Sequence, residues 1–170
     1  PEGIARTSIP ATYRQARVVN QTWTETCWVE NVIDELDEPG EWVLNTQEGK
    51  LYYWPENEDP GTNITAPLLR ELIRVEGKNV ESLKGDIPVK GLTFKGLIFT
   101  CGDRDVWTKE EKGIQHDWEM YDKDNALLRF RGAEDCRVMG CTFRNSGGTA
   151  VRLDLYARNI ELSENHIFNI

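Results

Sequence analysis

An aspartate fixed on a strand and turned away from a core is the kind of group that serves as a nucleophile or general base, and Asp154 fits that description. It lies between Leu153 and Leu155 in an alternating run, so if the leucines point inward the carboxylate points out. A similar run, about two dozen residues earlier, sets Arg129 and Arg131 around Phe130. Aligning Leu128 with Leu153 and Phe130 with Leu155 stacks Arg129 on Asp154 and Arg131 on Tyr156, one strand spacing of ~4.8 Å apart. Paired in this way, Asp154 would keep the ionised form that a nucleophile or base requires. One copy further back, the same columns hold Arg74 before Arg129 and Glu76 before Arg131. Two readings of these columns stand side by side. One is a ladder of exposed ion pairs worth ~0–1 kcal/mol each. The other is a polar groove that receives a ligand, and only this one gives a reason for the like charges of Arg74 and Arg129.

Most carboxylate chemistry needs a second acid. The segment 103–125, DRDVWTKEEKGIQHDWEMYDKDN, has no sustained period and carries most of the local acid, so it reads as an insertion into something regular. Asp117 is the foremost candidate for a partner acid, with Glu119 and Asp122 behind it. His116 and Trp118 join Arg129, Arg131 and Arg152 as candidate substrate contacts, and the flat ring of Trp118 suits stacking on a sugar face. The plainer alternative is a lid anchored by Trp107 and Trp118. His166 reads as a surface histidine. There is no HExxH, P-loop, GxSxG or strand-borne GxGxxG, so no metal and no cofactor are expected. The cysteines Cys27, Cys101, Cys136 and Cys141 show no CxxC spacing, and Cys136 and Cys141 fall on inward positions where free thiols act as small hydrophobes.

These side chains need a scaffold, and the sequence repeats itself to make one. ALLRFRGAEDCRVMGCTFRN is followed by AVRLDLYARNIELSENHIFN, with Cys136, Val138, Cys141 and Phe143 matching Ile160, Leu162, Asn165 and Ile167. An earlier copy runs from Ile73 and Val75 to Leu92, Phe94, Leu97 and Phe99. Short alternating runs, repeated between Gly and Asn turns, predict an all-β chain and a right-handed parallel β-helix over residues 63–170, with 103–125 as its insertion loop. A bulge is expected near residues 81–86. Residues 1–62 are expected to pack on that solenoid as a helix and hairpin segment. Val29, Val32, Ile33 and Leu36 predict a short helix over Trp28–Leu36, and two aromatic-rich runs around Gly49 predict a β-hairpin. Nothing after Asn165 reads as a cap, while Ile167, Phe168 and Ile170 are apolar. The expectation is therefore an incomplete fragment whose open end associates with another copy.

The formal charge is −9, from 20 basic and 29 acidic residues, with a pI near 4.8. An acidic chain offers little to a phosphate backbone, which argues against a nucleic-acid partner. No apolar run approaches the ~20 residues of a membrane-spanning helix.

Three stretches carry a family resemblance: PGEWVLNTQEGKLYYWP at 39–55, GIQHDWEMYD at 113–122 and ALLRFRGAEDCRVMGCTFRNSGGTAVRLDL at 126–155. In these the chain resembles bacterial right-handed parallel β-helix repeat proteins. The resemblance implies a secreted, periplasmic or cell-surface protein acting on a polysaccharide or oligosaccharide, foremost a glycoside hydrolase on plant or complex polysaccharides. Two alternatives remain open beside it, a polysaccharide lyase and a non-catalytic glycan-binding or adhesive scaffold. A hydrolase needs carboxyl groups roughly 5–5.5 Å apart for retention or about 6.5–9.5 Å for inversion. Adjacent or next-but-one strands would supply such distances, and coils beyond residue 170 could complete the pair.

Overall fold

The computed structural model describes residues 18–19, 22–23, 30–80, 84–104 and 125–170, and these divide into two units with the boundary at Ile64 and Thr65. Strand is the dominant element, and no helix among the described residues is long and apolar enough to cross a membrane.

In the smaller unit, β1 (Val18–Val19) and β2 (Thr22–Trp23) pair antiparallel. The expected hairpin is present: β3 (Trp42–Asn45) and β4 (Lys50–Tyr53) pair antiparallel, with Trp42 opposite Tyr53 and Leu44 opposite Leu51. Its turn is built by Asn45, whose side-chain oxygen accepts from the amides of Gln47 and Glu48 at 3.1 Å, and by Gly49 at φ 64°. The expected helix over 28–36 is replaced, where described, by one 3₁₀ turn at Ile33–Glu35 that buries no residue. Local side-chain bonds account for the difference. Asn31 sits at φ 62° and both donates to the Leu44 carbonyl (3.0 Å) and accepts its amide (2.7 Å). The Glu41 carboxylate accepts from the amides of Asp37 and Glu38. These bonds tie residues 31–41 to the hairpin edge and leave the 3.6-residue pattern no surface to bury.

In the larger unit, β5 (Ile73–Glu76), β6 (Val89–Lys90), β7 (Thr93–Lys95), β8 (Ile98–Gly102), β9 (Ala126–Glu134), β10 (Arg137–Met139), β11 (Thr142–Ser146), β12 (Thr149–Arg158), β13 (Glu161–Ser163) and β14 (His166–Phe168) form three parallel sheets. Their orders are β12-β9-β5 (with β6 also on β9), β13-β10-β7 and β14-β11-β8, so each repeat gives a strand to every sheet. The expected apolar columns appear in register. Val138 pairs with Phe94 and Leu162, and Phe143 with Phe99 and Ile167. The rings of Phe99 and Phe143 stack at 4.7 Å and 4°, while Phe94 meets Phe130 edge-on at 6.0 Å. Val75, Phe130, Val138, Phe143, Cys136 and Cys141 lie in the buried cluster, the two cysteines as free thiols. Each large side chain there contributes ~1.5–3 kcal/mol of burial.

The chain bends from sheet to sheet at residues in the left-handed region. Gly91, Asp135 and Asn159 form one such column, Gly96, Gly140 and Glu164 a second, and Cys101, Asn145 and Asn169 a third, all with φ between 51° and 73°. Asn and Asp enter this region more cheaply than most residues, and Gly at no steric cost. The columns also bond to themselves: Asn159 donates to Asp135 at 3.0 Å and Asn169 to Asn145 at 3.5 Å. Asn165 turns inward instead, accepting from the Cys141 amide and donating to the Val138 carbonyl, both at 2.9 Å. Of the bulge expected near residues 81–86, residues 81–83 lie outside the described residues; the chain between β5 and β6 is closed by an antiparallel bridge of Lys78 and Ile87. It returns close to β9, where Val80 lies so near Gly132 that a Cβ there would meet Val80 Cγ1 at 2.1 Å. Of the 103–125 insertion, residues 105–124 lie outside the described residues. Its two ends are anchored on the next repeat, with the amide of Gly147 donating to Gly102 (3.0 Å) and that of Thr149 to Asn125 (2.7 Å).

Candidate functional site

The β5-β9-β12 sheet brings the polar columns together, with one change of register. Arg74 pairs with Arg129 and Glu76 with Arg131, as the repeat implies. On the other side Arg129 pairs with Arg152, and Arg131 with Asp154. The alignment of Leu128 with Leu153 is therefore corrected: Val151 lies opposite Leu128, and Leu153 opposite Phe130. A slip of two residues leaves the in-and-out alternation unchanged, so alternation could not reveal it. The offset is partly recovered between Asp154 and Ala157, where the register shifts and Leu155 takes φ 55°.

Asp154 is nonetheless bound to Arg129. The Nε of Arg129 donates to Asp154 Oδ2 at 2.9 Å, and Nη2 donates to the same oxygen. Arg152 Nε lies 3.4 Å and Arg131 Nη1 3.8 Å from that atom. Three guanidinium groups thus converge on one carboxylate oxygen, whereas Asp154 Oδ1 is buried and makes no hydrogen bond among the described residues. Glu71 and Glu76 complete the group. Glu71 accepts from Arg74 Nε at 2.6 Å and lies 3.6 Å from Arg129 Nη1. Glu76 lies 3.3 Å from Arg131 Nε and 3.4 Å from Arg74 Nη1. Arg152 reaches back to the end of the insertion, its Nη1 donating to Asn125 Oδ1 at 2.8 Å.

Burial divides the arginines. The side chains of Arg129 and Arg131 are 0% and 2% exposed, so they serve the carboxylates around them and present little surface to a substrate. Arg152 is partly exposed and Arg74 more so, which makes these two the guanidinium groups able to meet a ligand. Of the other site residues expected from sequence, Asp117, His116 and Trp118 lie outside the described residues, as do Glu119 and Asp122. Sequence reasoning gave Glu76 its column without a role and passed over Glu71 and Asn125. Glu71 had one available signal, its position three residues before Arg74, just ahead of β5. His166 is exposed, in register with Thr142.

Tyr156 does not stack on Arg131. Its hydroxyl donates to Asp86, and Arg158 lies over its ring at 5.2 Å. The bond to Asp86, then burial and the charge of Asp86, push the Tyr156 phenol up to about 12. No group of three or more His, Cys, Asp or Glu among the described residues could hold a metal ion. No family model matches the chain, and neither does any curated protein or solved structure.

Proposed function

We propose that this chain is part of a right-handed parallel β-helix protein, secreted or periplasmic, that acts on a polysaccharide as a glycoside hydrolase. The observation that carries this reading is the column Glu76–Arg131–Asp154 on the outer face of the β5-β9-β12 sheet. Two carboxylates two strands apart stand ~9–10 Å from each other by strand spacing. That is close to the upper end of the separation, about 6.5–9.5 Å, that lets a water enter between acid and base in an inverting hydrolase. In this reading Asp154 is the base: Oδ2 is fixed by arginines, and Oδ1, buried and without a hydrogen bond among the described residues, must be uncovered as substrate and water enter. Glu76 is the exposed partner. To carry a proton it must loosen from Arg74 and Arg131 as substrate enters. Arg152 and Arg74 contact the glycan from either side of Arg129.

The burial of Arg129 and Arg131 among three acids favours a second reading, a glycan-binding scaffold in which the cluster only holds strands together. Product analysis on a panel of polysaccharides separates the possibilities. A hydrolase releases new reducing ends, a lyase leaves an unsaturated uronide that absorbs ultraviolet light, and a scaffold does neither. Asp154→Asn and Glu76→Gln should each lower kcat by ~10²–10⁴-fold below their melting temperatures. Unchanged kcat in both variants would overturn the assignment.

A further inference from the structure

We propose that Tyr156 is a positioning residue for Asp154: with Asp86 it holds the strained bulge at Leu155 from one side, while the arginines around Asp154 hold it from the other. This does not rest on the catalytic reading, since it concerns only what keeps the Asp154 carboxylate in place.

All three repeats depart from regular pairing at one row of the β5-β9-β12 sheet, immediately beyond the column Glu76–Arg131–Asp154. Between the pairs Glu76–Arg131 and Val89–Ala133, β9 passes through Gly132 alone, whereas the repeat before it passes through residues 77–88. In β12 the same row holds two residues, Leu155 and Tyr156. Gly132 takes φ 67° at no steric cost, and Leu155 takes φ 55° in its place. A leucine in the left-handed region is strained, and such a conformation persists only where its surroundings over-determine it. The Leu155 side chain is 44% exposed, so the constraint comes from its two neighbours. Asp154 is bound by Nε and Nη2 of Arg129, and the Tyr156 hydroxyl donates to Asp86 in the chain that follows β5.

That chain is a firm anchor. The Gly77 amide donates to the Arg131 carbonyl at 3.0 Å, and Lys78 and Ile87 exchange backbone bonds at 2.9 Å. A Cβ on Gly77 would meet the Ile87 carbonyl oxygen at 2.7 Å, so the two stems lie in close contact. Val80, 4% exposed, rests on Gly132. Asp86 adjoins this bridge, and the phenol bond carries its rigidity across β9 to the bulge. Without that bond Leu155 can leave the left-handed region, and the pairing of Arg129 with Asp154 loosens with it.

The Nε–H of Arg129, which donates to Asp154 Oδ2 at 2.9 Å, reports on that pairing directly. In the 170-residue chain its solvent exchange, followed by nuclear magnetic resonance, should rise ~10–100-fold in Tyr156→Phe, the range set by a hydrogen bond to a charged group. Asp86→Ala should do the same, and the double variant should add little to either. The amides of Arg137 and Thr142, bonded to Leu92 and Leu97, should keep their original rates. Leu155→Gly removes the strain, so adding it to Tyr156→Phe should bring the exchange of Arg129 back towards its original rate. Unchanged exchange at Arg129 in either single variant, additive effects, a rise shared by Arg137 and Thr142, or no recovery with Leu155→Gly would each overturn the proposal.

Discussion

Asp154→Asn is the sharpest perturbation of the charged face, because it removes one negative charge from three guanidinium groups while keeping the shape of the side chain. Arg129 has no exposed side-chain surface and takes two hydrogen bonds to Asp154 Oδ2, with Glu71 more distant at 3.6 Å. Water therefore cannot replace the lost partner, and the cost belongs to the class of broken buried pairs, ~3–5 kcal/mol. An exposed pair would cost only ~0–1 kcal/mol. For a unit of this size, ~3 kcal/mol lowers Tm by roughly 12 °C. The assay is urea and thermal unfolding followed by circular dichroism, in a cycle with Arg129→Met. If Asp154 chiefly balances a buried charge, the double variant recovers much of the loss, since a buried pair replaced by apolar groups is often tolerated. A loss below ~1 kcal/mol for Asp154→Asn, or strictly additive effects, would refute the reasoning.

Phe143→Ala should destabilise by ~3–5 kcal/mol in the same unfolding assay, because Phe143 is fully buried and its ring stacks on Phe99 at 4.7 Å. The Tyr156 phenol, raised from 10.0 to about 12, makes a contribution to stability that is fully present below pH 10 and fades as pH rises through about 12. Phenolate absorbance, read as the difference between the chain and its Tyr156→Phe variant, measures that titration. Asp86→Asn should return it towards the ordinary range, and no movement would exclude the bond as its cause.

The columns that alternation can define were legible in the sequence. Phe94, Val138 and Leu162 share a face because each alternates with polar neighbours at one repeat spacing, and that is also how they pair. Arg152 opposite Arg129 was not legible, since a two-residue slip keeps every side chain on its own face and only backbone geometry near Leu155 resolves it. The burial of Arg129 was hidden for a related reason. Alternation assigns a side to each residue but says nothing about what stands on that side. Glu71 lies ahead of β5, outside any alternating run, and only the pairing of β5 with β9 brings it to Arg129. The short helix failed because periodicity reports a potential apolar face, while Asn31 at φ 62° has already committed the backbone elsewhere.

The left-handed corners have a bearing on how such a chain lengthens. Each bend is set by a single residue's own backbone, supplied here by Gly, Asp, Asn, Cys or Glu. Beyond the side-chain bonds of Asn159 to Asp135 and of Asn169 to Asn145, a corner therefore asks little of its neighbours in the adjacent repeats. Duplicating or deleting one three-strand repeat would leave the backbone of every remaining bend as it is. Insertions are absorbed in the same way. At the 103–125 segment the flanking strands β8 and β9 still stack on β11 and β12, held by the amides of Gly147 and Thr149. New surface can thus be added at a corner while the strands below keep their inherited order.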